Sequence, residues 1–116
     1  MRKLFIDDVR QAPDNSWTIA RTITEAIRLL ATQYWDIVSI DHDYGGIYKK
    51  NEEKYNLLEE TYMPVAFYIS KDSNYNRLYA KPSIFIHSGN KPAAQYMKDI
   101  IGENAKIVDY NDLNKY

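Results

Sequence analysis

The feature that most constrains this chain is a recurring junction. Three short apolar runs stop abruptly at clusters of chemically active side chains. Leu4-Phe5-Ile6 stops at Asp7-Asp8, the Asp36–Ile40 run stops at Asp41-His42-Asp43, and Ser83–Ile86 stops at His87-Ser88. Runs of this length, rich in β-branched and aromatic residues and bounded by polar ones, read as buried strands. Trp17–Ala20 and Ala105–Val108 add two more strands. Between them lie helical patterns. Ile23, Ala26, Ile27 and Leu30 share one face behind a possible Thr22 or Thr24 cap. Met63–Ile69 carries a proline in its first turn, where it is tolerated. Pro92–Ile101 ends at Gly102, a usual helix stop.

Strands alternating with helices predict a parallel sheet with covered faces. The expected architecture is a flavodoxin-like three-layer sandwich with five strands in the order 2-1-3-4-5. Only residues 7–16 separate the first two strands, which is too short for a full crossover helix. The first helix is therefore expected to be reduced. At 116 residues the chain makes one domain, 1–116. Residues 46–60 read as an insertion, following the flexible pair Gly45-Gly46 and rich in charge. A stretch that long is either a lid over a site or a solvated excursion.

Composition removes several classes of function. Hydrophobic residues make up 45%, enough for a core. Fifteen basic and sixteen acidic residues leave a net charge of −1, so nonspecific binding to duplex nucleic acid is disfavoured. There is no cysteine, which excludes disulfides, thiolate zinc sites and a cysteine nucleophile. No apolar stretch could span a bilayer, and the run from Leu4 meets Asp7-Asp8 too soon for a leader peptide. The expectation is a soluble, cytoplasmic protein.

In open parallel sheets, ligands sit beyond the carboxyl ends of the strands. That rule collects the three clusters, and both histidines of the chain, into one crevice. Crowded carboxylates repel one another, and a hard cation relieves the repulsion. Asp7, Asp8 and Asp41 are the metal candidates, with Mg²⁺ or Mn²⁺ favoured by oxygen ligands. Arg10 could clamp a phosphate with its planar fork. His87 and His42, with Asp43, are the acid–base candidates. Ser88 and Asn90 precede a helix whose N-terminus favours an anion. Each residue has a plainer reading beside the functional one. Arg10 could simply pair with Asp41 or Asp43, His42 could bond to backbone, and Asn90 could only cap the helix opened by Pro92.

These motifs resemble the receiver domains of response regulators, and more closely their divergent branch, the cyclic-phosphate-processing receiver-like domains. Ile6-Asp7-Asp8-Val9-Arg10, Asp41-His42-Asp43-Tyr44-Gly45 and His87-Ser88-Gly89-Asn90 follow that branch's three motifs in order, from Lys3 to about Ile101. The resemblance implies that Asp7, Asp8 and Asp41 form the receiver metal pocket and phosphoacceptor position. It implies that His42, Asp43, His87, Ser88 and Asn90 mark the branch. There are departures. Val108 is followed by Asp109-Tyr110-Asn111 where receivers carry a lysine, and the proline expected directly after Asn90 comes one place late, as Pro92. The implied activity is metal-dependent hydrolysis of a cyclic phosphate, either a cyclic nucleotide or a 2′,3′-cyclic phosphate end. The alternatives are a non-catalytic cyclic-nucleotide-binding or sequestering protein and, third, a phosphoacceptor receiver using Asp41, which the missing lysine disfavours.

Overall fold

A computed structural model describes residues 1–43, 61–75 and 80–116. Five parallel strands form one sheet: β1 (Lys3–Ile6), β2 (Trp17–Ala20), β3 (Ile37–Ile40), β4 (Ser83–Ile86) and β5 (Ala105–Ile107). Their order is β2-β1-β3-β4-β5, as expected. The expected insertion at 46–60 lies outside the described residues. No helix among the described residues is long and apolar enough to cross a membrane.

Among the described residues, three helices connect the later strands. Helix α1 (Ile23–Thr32) opens at Thr22, whose hydroxyl accepts the backbone N–H of Glu25. The Glu25 carboxylate reaches back to the N–H of Arg21, so one first-turn donor and the N–H just before the cap are satisfied together. Helix α2 (Met63–Tyr68) carries Pro64 in its first turn. Helix α3 (Lys91–Ile101) is capped by Asn90, whose carbonyl accepts the N–H of Ala93. It ends at Gly102 with φ 114°, a backbone region that side chains disfavour. A Cβ at Gly102 would also approach Lys71 Cβ to 3.1 Å.

Period-2 alternation along the strands divides the core in two. Leu4, Ile6, Val38, Ile40, Ile84 and Ile86 face all three helices, burying Ala26 and Leu30 of α1, Val65 and Ala66 of α2, and Met97 and Ile101 of α3. The other face presents Phe5, Ile37 and Phe85. No helix covers it from the first connection, because residues 7–16 form only bends and a turn. The reduction of the first helix is complete. The cover comes instead from Trp17 at the sheet edge and from a C-terminal 3-10 helix, Tyr110–Lys115. Asp109 caps that turn by accepting the N–H of Asn111. Leu113 inserts from it and is fully buried.

A face covered so thinly depends on each covering side chain. Leu113→Ala is expected to cost about 2–5 kcal/mol, the range for a buried leucine truncated beside groups that cannot fully collapse. Urea denaturation of the variant measures this. A loss below about 1 kcal/mol would show that the turn is not structural cover.

Candidate functional site

The same alternation that places Phe5, Ile37 and Phe85 on the thin face also places the residues two and four positions later. Asp7 continues the Lys3, Phe5 series; Asp41 continues Ile37, Ser39; His87 follows Phe85. Each still donates a ladder bond: Asp7 N–H to Ala20, Asp41 N–H to Ile6 and His87 N–H to Ile40, at 3.0–3.2 Å. Three adjacent strand ends therefore deliver three side chains to one spot. Asp7 is 0%, His87 1% and Asp41 5% exposed.

Asp7 is the hub. Its Oδ1 accepts the backbone N–H groups of Val9 and Arg10 at 2.9 and 3.0 Å. Its Oδ2 accepts Nε2–H of His87 at 2.9 Å and Nη1–H of Arg10 at 3.2 Å. Burial alone would raise its pKa, but the bond from His87 and the two backbone bonds outweigh that and hold the carboxyl well below the usual range. Because ionised Asp7 only accepts, the His87 hydrogen must sit on Nε2. Nδ1 of His87 lies 2.7 Å from the hydroxyl of Ser39, which is fully buried. The imidazole stacks flat on Phe5, with centroids 4.9 Å apart and planes at 6°.

Arg10 lies between two carboxylates. The same Nη1 that reaches Asp7 is 3.2 Å from Asp41 Oδ2. Its guanidinium also sits over the Tyr110 ring, 5.4 Å from the centroid, and Tyr110 donates its hydroxyl hydrogen to the Gln11 carbonyl. Arg21 ties down the intervening loop by donating to the carbonyls of Asp7 and Arg10. Asp41 accepts the N–H of His42 at 2.8 Å through Oδ1. Burial, and next the charge of Asp7, push its pKa up against the pull of His87 and Arg10.

Asp7, Asp8 and Asp41 each offer a carboxylate oxygen, and these oxygens lie within 4.8 Å of one another. A small divalent cation is held by such a set of hard oxygen donors. The residues present fit Mg²⁺ or Mn²⁺. Asp7 brings least to it, since its two oxygens already accept four hydrogen bonds.

The other expected site residues are arranged around this core. The His42 side chain is 12% exposed, and its Nδ1 is 2.8 Å from Asp43 Oδ1. The backbone of this pair is held by an antiparallel bridge from Asp43 to Thr61 and by a bond from Tyr62 N–H to the His42 carbonyl. Ser88 is buried and accepts the N–H of Asn90, and Asn90 caps α3. Arg10 does pair with Asp41, as its plainer reading held, and with Asp7 too. Ser39, Arg21 and Tyr110 were not singled out from sequence. Ser39 could have been, because a serine inside a buried strand needs a polar partner. A cavity of about 390 Å³ opens beside Arg10, His87 and Ser88, with Val108–Asn111 also in its wall.

A parallel 2-1-3-4-5 sheet with an acidic cluster beyond β1 and β3 defines a receiver-type α/β domain. The chain is a member of the family described as the cyclic-phosphate processing receiver domain, whose model matches residues 2–103. No curated protein and no solved structure matches the chain.

The two central carboxylates carry opposite pH signatures. With the Asp41 pKa raised, the folded state holds a proton that the unfolded chain releases near the ordinary 3.8, so its contribution to stability falls as pH rises through that window. With the Asp7 pKa lowered, its contribution is present above 3.8 and is lost as pH falls below it. In metal-free buffer at about pH 7, Asp41→Asn is expected to raise Tm, with the gain vanishing below about pH 3.5. Asp7→Asn is expected to cost about 1.5–3 kcal/mol, the worth of hydrogen bonds to a charged group. Melting curves across pH check both signs; equal destabilisation by the two variants would contradict the assignment.

Proposed function

We propose that this protein is a divalent-metal-dependent phosphoesterase that opens a cyclic phosphate, with a cyclic nucleotide or a 2′,3′-cyclic phosphate end as substrate. The observation that carries the reading is the convergence of three carboxylates, one arginine and a carboxylate-oriented histidine at adjacent strand ends. Asp7, Asp8 and Asp41 would hold Mg²⁺ or Mn²⁺, which when bound supplies charge stabilisation at the phosphoryl oxygens and acidifies a water.

The chain's own residues do the rest. Arg10 has five N–H donors, and only Nη1 is engaged by the carboxylates, so its remaining donors can fork onto phosphate oxygens. Water adds to phosphorus and gives up a proton, the ester P–O bond of the ring breaks, and the departing alkoxide takes a proton. His42 would carry that proton, accepting it from the water on Nε2 and handing it to the alkoxide. Its Nδ1–H donates to Asp43, which orients the ring and leaves Nε2 as the acceptor. His87, the other candidate, has both ring nitrogens engaged inside the protein. Its part is to fix Asp7. Ser88 and Asn90 shape the entry to α3, next to the phosphate.

A second reading, a binding or sequestering protein, has one observation in its favour. Arg10 already bridges Asp7 and Asp41, so the pocket can present a guanidinium to an anion with no metal. Single-turnover assays with excess protein separate the two. Cyclic nucleotides of both ring types, incubated with Mg²⁺ or Mn²⁺, are expected to yield linear monophosphates. His42→Ala is expected to slow conversion by about 10²–10⁴-fold, with affinity changed only modestly. Intact ligand recovered after prolonged incubation with either metal would leave the binding reading standing and remove the catalytic one.

A further inference from the structure

The cavity of about 390 Å³ is larger than a phosphate requires and falls at the small end of ligand pockets. It shares Arg10, His87 and Ser88 with the acidic site and continues past Gly89 and Lys91 to Val108, Asp109, Tyr110 and Asn111. The wall made by Val108–Asn111 lies beyond residue 103, where the family match ends. Its composition is informative. An exposed carboxylate, Asp109, stands in it, which makes it a poor seat for a second phosphate. Val108 and the Tyr110 ring give it an apolar and aromatic side, and Asn111 adds an amide.

We propose that this cavity is a nucleobase subsite, that Asp109 reads the base, and that the base it selects is guanine. This rests on the cyclic-phosphate reading above. Asp109 Oδ1 accepts the Asn111 N–H and so holds the carboxylate in place, while Oδ2 has no bond among the described residues. A carboxylate held this way offers acceptors side by side. Guanine is the one standard base with two adjacent N–H donors, N1–H and N2–H, on its Watson–Crick edge. Adenine, cytosine and uracil each present an acceptor beside their donor there, and that acceptor would face the carboxylate unpaired. The cavity volume suits one nucleoside, so the ligand is a mononucleotide with its phosphate at Arg10 and its base against the C-terminal turn.

The test uses the intact protein and seven probes: guanosine, adenosine and cytidine cyclic monophosphates, each in 2′,3′ and 3′,5′ forms, and glycerol 1,2-cyclic phosphate, which has no base. Calorimetry is expected to show the guanosine ligand bound about tenfold or more tightly than the other nucleotides, the discrimination of one bidentate base contact. Asp109→Asn keeps the Oδ1 that caps the 3-10 turn but turns an N–H₂ towards the base donors. It is expected to erase the guanosine preference. Equal affinity for all bases and for the glycerol ester would overturn the base subsite and leave the phosphoesterase reading intact. A guanosine preference that survives Asp109→Asn, or a parallel loss of the glycerol ester in that variant, would overturn it as well. Failure of every probe to bind would remove both readings.

Discussion

The structure depends on one buried carboxylate. Asp7 receives hydrogen bonds from four donors, and these serve three different constraints. The N–H groups of Val9 and Arg10 fold the chain sharply after β1, in place of a crossover helix. His87 ties the end of β4 to the end of β1 across the intervening β3. Arg10 ties the turn to Asp41 at the end of β3. A buried charge is tolerable only when its acceptors are filled, and here filling them also sets the relative positions of three strand ends. The bond to His87 carries the constraint inward to Ser39, so the site is braced from inside the sheet.

The missing helix after β1 and the open site are two aspects of one arrangement. Where a helix would pack on Phe5, the thin face is covered by Trp17 and by a short 3-10 turn from the far end of the chain. That turn brings Tyr110 against Arg10 and puts the Asp109 side chain in the wall of the cavity. A full crossover helix would leave no room for this. The cost is a second core cluster of only six buried residues, including Leu113, which limits how much the face can lose before the cover opens.

Much of this was legible in the sequence because strand ends are marked by chemistry as well as by hydrophobicity. Leu4–Ile6 followed by Asp7-Asp8 defines a strand, its direction and its functional end together. Thr22, one of two candidate caps, and Asn90 before Pro92 marked where α1 and α3 begin. Two things were not legible. The different burial of the two histidines follows from the parity of the strand: His87 falls on the same side as Phe85 and is buried, whereas His42, one residue past Asp41, has the opposite parity and a side chain 12% exposed. The C-terminal turn was missed because Asp109–Tyr116 is polar except for Leu113 and the tyrosines, so no periodicity announces it. Its signal is tertiary: a single leucine and a tyrosine filling what the short first connection leaves bare.

The contrast between Asp7 and Asp41 shows where folding and function part. The two carboxylates share Arg10, but only Asp7 has enough donors to offset its burial. Asp41 has one backbone N–H and a shared guanidinium, and its pKa is pushed up. Nothing in the packing requires that deficit, since an uncharged side chain of the same shape could make the same backbone bond without the repulsion. A buried acid left short of donors is a place where added positive charge is favoured, whether the charge comes from a divalent cation or from a guanidinium released by ligand. Asp8 lies within reach of the same point and is less buried. The cluster thus joins a fully satisfied acid that organises the fold to Asp41, which is short of donors. Arg10 sits between the two, bonded to both acids through one nitrogen.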